Sequence, residues 1–414
     1  MMYNKFGYQG FVLLLLVGLS ITAQDGVCAE FMRGADISMQ TQQEELYEVI
    51  YNEYGVPKDA VTIFNNHDFN WIRIRLFHTP TGLVNGVCQD LAYVTELGAR
   101  VKAAGFKFLL DIHYSDTWAD PSHQTKPAAW QSLSQLDLVI AVHDYTSDVI
   151  TTLRDNNAMP DMVQIGNEIN CGMLWPNGNP CNGGGGSWAN LAQLINAGIS
   201  GVDDGRGSEP MPRIMIHIST VKSTSNTQWF FDNLIANGVQ FDIIGQSFYP
   251  EWHGPIDNLT TSLNFMAGRY SKDIIVAEAG DYYTGSPGKT PESQKAFLDG
   301  VIQRVQATPN GRGIGVFYWE PTWVWNSGAG YRALFQPISG NWRNVNMLMG
   351  MEAFDIYGDI TGDDDIVNFE DLHDFFGLWL NDDCSATAGL DLNGDCVISF
   401  YEFSTLARNW RVNE

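Results

Sequence analysis

Between residues 31 and 351 the chain returns eight times to a short apolar run of strand character, each followed by helically spaced or polar sequence. The runs are 31–38 (FMRGADIS), 71–77 (WIRIRLF), 106–114 (FKFLLDIHY), 162–170 (MVQIGNEIN), 213–219 (RIMIHIS), 241–249 (FDIIGQSFY), 273–281 (DIIVAEAGD) and 315–321 (GVFYWEP). Strand and helix alternating over this length leave two architectures, a (β/α) barrel or an open doubly wound sheet. Eight units favour the barrel. No glycine-rich phosphate loop follows the first run, which removes the main support for a nucleotide-binding sheet.

The runs end in polar or aromatic residues: Asp36, Arg73 and Arg75, Asp111 and His113, Asn167 and Glu168, His217, Tyr249, Glu278, and Trp319 with Glu320. One such residue is ordinarily a satisfied polar group at a strand end. Eight together are harder to dismiss, because each costs desolvation unless paired, and a barrel keeps its chemistry at that rim. Glu168 and Glu278 stand about 110 residues apart, each after an apolar run and a small residue. Two strand-end carboxyls on one rim suit glycoside hydrolysis, in which one protonates the leaving oxygen and the other attacks the sugar carbon.

Elsewhere the chain divides by composition. Lys5, the apolar stretch 11–19 and cleavage candidates at Ala23 and Ala29 have the form of a secretory signal peptide, too short for a membrane span. Export permits disulfides, and Cys171 with Cys181 and Cys384 with Cys396 are plausible local pairs. Cys88 is a candidate partner for Cys28 if the latter survives processing, and is otherwise expected to be a small buried residue. The net charge of −25 argues against nucleic acid or an anionic membrane as partner. Residues 355–414 hold 14 acidic and 2 basic side chains, so this tail is expected to be a separate unit.

Taken in order, GADIS, WIRIRLF, DIHYSDTWADPSHQTKPAAW, QIGNEIN followed by GMLWP, IGQSFYPEWHG, VAEAG and GVFYWEPTW closely resemble the arabinogalactan endo-β-1,4-galactanase family. The resemblance covers all eight runs. It implies a (β/α)8 TIM barrel of the retaining glycosidase clan, with Glu168 as acid/base and Glu278 as nucleophile. In such a pair the acid needs a raised pKa, and an ionised Glu278 beside it supplies one. Arg73 and Arg75 alternate onto one strand face, so at least one is expected to hold Glu278 ionised, with Tyr249 donating to the same carboxylate. Asn167 suits a sugar 2-hydroxyl. Asp36, Asp111, His113, His217 and Glu320 are candidate supporting or substrate-binding residues. Trp118, Trp175 and Trp319 are candidate sugar platforms, since a sugar shows an apolar C–H face beside its polar edge; filling the core is their blander role.

The tail carries a duplicated pattern. Asp391, Asn393, Asp395 and Glu402 take the first, third, fifth and twelfth positions of an EF-hand-like loop, and Asp359, Thr361, Asp363 and Glu370 repeat the spacing upstream. Each loop leads to a short amphipathic stretch ending in Trp379 or Trp410. The unit resembles the dockerin family, which implies a small all-α module, Ca2+ ligation and a cohesin-type partner. Two departures stand out. Position six is Asp364 and Cys396 instead of glycine, and Glu370 competes with Asp371 as final ligand.

The expected organisation is a signal peptide (1–29), a catalytic barrel (30–351) and a dockerin-like module (352–414), in a secreted, monomeric galactanase needing no cofactor for catalysis. Two alternatives stay open. The same carboxyl pair serves mannanases and glucanases of the clan, and a silent carbohydrate-binding barrel would keep the fold without the reaction.

Overall fold

The computed structural model describes residues 30–80, 82, 86–181, 187–325, 328–355 and 369–379, together with Ile398 and Phe403. Eight parallel strands close into a barrel: β1 (Met32–Asp36), β2 (Trp71–Leu76), β3 (Lys107–Ile112), β4 (Met162–Ile165), β5 (Arg213–Ile218), β6 (Ile243–Phe248), β7 (Asp273–Ala279) and β8 (Gly313–Trp319). Each strand pairs with its neighbours in sequence, and β8 closes on β1. All eight expected runs are present. They are apolar on both faces because each strand is covered by helices outside and by its fellows inside.

Interior and exterior separate cleanly. Met32, Trp71, Leu109, Met162, Met215, Ile243, Ile275, Ala277, Ile314 and Phe317 form one cluster that plugs the lower barrel. Gly34 makes room there, since a Cβ on it would lie 2.2 Å from the Phe317 ring. Outward-facing strand residues join a second, larger core with the helix faces, as Leu138, Val142, Val149, Ile150 and Leu153 of the helix Gln135–Asp155 show. Several helices start at a side-chain cap, including Asp90, Ser134, Ser187 and Ser223, with a reciprocal capping box at Thr290. These caps stop the polar loops and start the helices that return the chain to the next strand.

A second, four-stranded sheet was not anticipated. Ile50–Glu53 lies between Asn341–Met347 and Val56–Pro57, with Phe335–Ile338 at the other edge. The segment after β8 thereby pairs with the segment after β1. The strands are short and half-polar (NWRNVNM, IYNE), so they lack the apolar signature that marks the barrel strands.

The barrel and this small sheet belong to one compact unit that starts at Glu30, and the described tail residues belong to another. In the tail, the expected helix before Trp379 is present as Phe369–Leu378. Phe375 is buried and meets Trp379 and Phe403 at ring-centroid distances of 5.4 and 5.8 Å. Glu370 lies on this helix, and its side chain is outside the described residues, as are Asp359, Thr361, Asp363, Asp391, Asn393, Asp395 and Glu402. Among the described residues no cluster of His, Cys, Asp or Glu is placed to hold a metal, and no helix is long and apolar enough to cross a membrane. The Cys171–Cys181 disulfide is formed. Among the described residues the half-buried Cys88 has no disulfide partner, and Cys28, Cys384 and Cys396 lie outside the described residues.

Candidate active site

Glu278 reaches the barrel mouth through an irregularity in β7. Ile275 and Ala277 both face the interior cluster, so strict alternation would turn Glu278 outward toward the helices. The register with both neighbours slips here: Gln246 pairs with Val276 but Ser247 with Glu278, and Val316 with Val276 but Tyr318 with Ala279. This extra residue is a β-bulge, and it swings the carboxyl inward. Glu168 is aimed differently. It follows β4 with φ at 46°, left-handed backbone that a non-glycine residue adopts only under local constraint.

Behind the two carboxyls lies a dense polar layer. Arg73 is its hub, with Nη1 2.5 Å from Asp36 Oδ2 and Nη2 2.8 Å from Asp111 Oδ2 and 3.0 Å from Glu278 Oε1. The same guanidinium donates to Gln164 Oε1 at 3.1 Å and Asn167 Oδ1 at 3.0 Å. Tyr249 donates to Glu278 Oε2 at 2.8 Å. Of the two arginines, Arg73 therefore holds the nucleophile candidate, while Arg75 pairs with Glu320 and lies under the Trp118 ring at 4.3 Å. His113 bonds Asp111 at 2.9 Å, and His217 bonds Asn167 Oδ1 at 2.9 Å.

Asp36, Arg75, Asp111, His113, His217 and Glu320 are buried and held by other side chains, so their contacts lie behind the rim and not across the open mouth. Asn167 has Oδ1 occupied by Arg73, Gln164 and His217. One Nδ2 hydrogen goes to Ala119 O at 2.8 Å, and among the described residues the other has no acceptor.

Burial separates the two glutamates electrostatically. It raises Glu278, but the Arg73 guanidinium opposes the rise and keeps charge available there. Burial and then the charge of Glu278 push Glu168 up to about 8. Of the two, Glu168 is the carboxyl whose surroundings favour the protonated form more strongly, since no cation opposes its burial as Arg73 does for Glu278.

Aromatic rings frame the mouth. Trp118 stacks on Trp323 with an interplanar angle of 9° and meets Trp319 at 6.4 Å, and Trp319 abuts Tyr249 at 6.2 Å. Trp252, more than half exposed at 57%, continues the row from Tyr249 at 5.0 Å. Trp175 instead donates its indole N–H to Cys171 O within the loop after β4 and is half-buried there. Beside Glu168 opens a cavity of about 770 Å³, lined by Asn170, Ser219, Lys222, Trp229, Trp252 and His253 among others.

Gln164, Ser219 and Ser247 were not singled out from the sequence. Ser247 stands within the IGQSFYPEWHG stretch, yet nothing distinguishes a functional serine from an ordinary one until its 2.6 Å bond to Glu168 Oε1 is seen. Gln164 is legible in retrospect as an amide at an inward position of an apolar strand.

The family model "Glycosyl hydrolase family 53" matches residues 32–361. A protein of Niallia circulans described as "Uncharacterized protein in bgaB 5'region" is 37% identical over 77% of this chain and 89% of its own length. The Neosartorya fischeri protein "Probable arabinogalactan endo-beta-1,4-galactanase A" is 36% identical over 78% of this chain and 92% of its own. One solved structure, from work on two fungal beta-1,4-galactanases, superposes with a TM-score of 0.70 at 32% identity, covering 79% of this chain and 99% of that one. With the family model matched over most of its length and relatives above 30% identity spanning more than two thirds of it, the chain belongs to glycosyl hydrolase family 53.

Proposed function

We propose that the chain is an endo-β-1,4-galactanase that cleaves galactan with retention of anomeric configuration, Glu168 serving as acid/base and Glu278 as nucleophile. The observation that carries the division of roles is the unequal support of the two carboxyls. Glu278 is held by Arg73 and Tyr249, donors that favour charge, whereas Glu168 is desolvated beside that charge. The galactan assignment is supported by the similarity to proteins described as galactanases.

In the first step Glu278 attacks the anomeric carbon as the glycosidic C–O bond breaks, and Glu168 gives its proton to the departing oxygen. The product is a glycosyl ester on Glu278. Water then attacks the same carbon, Glu168 takes the water's proton, and the ester oxygen leaves as carboxylate. The sugar at the cleavage point would lie against Trp319 and Tyr249, with Asn167 Nδ2 reaching its 2-hydroxyl. The cavity on the Glu168 side would take the leaving chain.

A leader ending at Ala23 or Ala29 would direct the protein out of the cell. The acidic tail would bind Ca2+ through its two loops and offer a docking surface to a cohesin-type partner, leaving the barrel a monomeric catalyst. Purified protein incubated with galactan, mannan, xylan and cellulose tests the substrate, and proton NMR of the earliest galactan product tests the stereochemistry. Internal cutting of galactan with the β anomer first is expected. An α anomer first, exclusive galactose release, or preference for another polysaccharide would overturn the reading.

A further inference from the structure

Glu168 is touched by two serines, and each serine is backed by a histidine. Ser247 Oγ lies 2.6 Å from Glu168 Oε1 and 2.9 Å from His217 Nε2. Ser219 also hydrogen-bonds Glu168, and its Oγ lies 3.0 Å from His253 Nε2. The two arrangements look alike, but hydrogen-bond directions make them opposites.

For the first pair, the starting point is Arg73, which can only donate. The Asn167 atom facing it is therefore Oδ1, consistent with Nδ2 donating to Ala119 O. His217 Nδ1 faces the same Oδ1 and must carry a hydrogen. His217 is kept neutral by burial and by Arg73, so Nε2 is bare and needs a donor. Among the described residues that donor is the Ser247 hydroxyl, whose only hydrogen is then committed. Toward Glu168, Ser247 can only accept.

The second pair runs the other way. His253 Nδ1 faces the backbone N–H of Tyr249 at 2.9 Å and must be bare. Burial and then Lys222 pull His253 down to about 4, so it too is neutral, and its Nε2 carries the hydrogen. That hydrogen goes to Ser219 Oγ, which leaves the Ser219 hydroxyl free to donate to Glu168.

We propose that Ser247 with His217 and Ser219 with His253 are positioning residues of opposite polarity, which fix Glu168 in the resting enzyme as a neutral acid with its proton on Oε1. A protonated carboxyl has one donor and one acceptor, and these neighbours match both. When the proton passes to the glycosidic oxygen, the Ser219 hydroxyl goes on donating to the new carboxylate, while the Ser247 hydrogen stays on His217. The charged and titratable groups facing this network are Glu278, Asp120 and Tyr249 around Glu168, Arg73, Asp111 and His113 around His217, and Lys222 around His253. The inference rests on the reading of Glu168 as the acid.

The test is the pH profile of kcat/KM on galactan for the full chain and for Ser247→Ala and Ser219→Ala, with Ser247→Thr as the variant that keeps the hydroxyl. Removing an acceptor of the acid proton should lower the alkaline limb by about half to one pH unit, the equivalent of one net hydrogen bond. Removing a donor to the carboxyl should raise it by a similar amount. Ser247→Thr should restore the limb. A merely structural role would lower rates without moving the two limbs in opposite directions. An alkaline limb that stays or rises in Ser247→Ala overturns the proposal. Should that variant not fold, 15N NMR of histidine-labelled wild type reads His217 directly, with an unprotonated Nε2 expected and a protonated one contradicting the scheme. Glu168→Gln separates the two levels: if it keeps the alkaline limb, Glu168 is not the acid, whereas losing it while the serine shifts fail removes only the serine scheme.

Discussion

Arg73 and Arg75 stand two residues apart on β2, point into the same barrel and are equally buried, yet they serve unlike surroundings. Arg73 satisfies carboxylates and amides from four other strands or strand ends and touches the nucleophile candidate. Arg75 pairs with Glu320, while its Nε and Nη2 have no hydrogen-bond partner among the described residues and one face of the guanidinium rests on Trp118. The difference teaches that burial alone does not mark the reacting centre. What marks it is how many partners fix a group, because a preorganised carboxylate needs a donor that cannot wander.

The largest effect should fall on the group Arg73 holds. Glu278→Gln should lower kcat on galactan by about 10⁴-fold or more while leaving the fold intact, since an amide cannot form the ester intermediate. Steady-state assays alongside circular dichroism check this, and substantial residual turnover would place the nucleophile elsewhere.

The two arginines themselves come next. Arg73→Met leaves Asp36, Asp111 and Glu278 without their shared cation, and breaking such a buried pair costs about 3–5 kcal/mol. We expect a collapse in kcat of at least about 10²-fold with a marked fall in Tm. Arg75→Met strands Glu320, which can take up a proton, and removes a longer 3.9 Å contact to Asp36, which Arg73 still holds, so kcat should change by less than about tenfold. Equal kinetic losses in the two variants would erase the distinction drawn here.

Glu320 gives the smallest and most specific effect. Burial pushes it up to about 8 against the opposing pull of Arg75, from an ordinary value of 4.5. A folded-state pKa above the unfolded one means that the stabilisation is fully present below pH 4.5 and is lost as pH rises toward 8. Glu320→Gln should flatten that decline in Tm, each kcal/mol being worth about 2–4 °C in a domain of moderate size. Thermal melts at pH 4.5, 6 and 8 check it, and an unchanged slope would contradict the assignment.

The barrel was legible because parallel strands buried on both faces are written as continuous β-branched and aromatic runs, and their ends are punctuated by residues too polar to be there by default. Glu168, Glu278, Arg73 and Tyr249 could be read from that punctuation. The bulge at Ala277 could not: the sequence VAEA alternates no differently from a regular strand, and only the paired registers reveal the extra residue. Nor could the choice between Arg73 and Arg75, since both satisfy the same parity on β2. The small sheet escaped because its strands are stabilised by long-range pairing between the segments after β1 and β8, with no local apolar pattern to announce it. For the tail, the duplicated loop spacing remains a reading of the sequence, with its ligands outside the described residues.

The most direct test of the central claim, that Glu168 is the proton donor and Glu278 the charged partner, is Glu168→Gln assayed on galactan and on an aryl β-galactoside with an activated leaving group. The account predicts a fall of about 10²–10⁴-fold on galactan, loss of the alkaline limb near pH 8, and a first step on the aryl substrate that is nearly spared. Equal losses on both substrates, or an alkaline limb that survives the substitution, would contradict it.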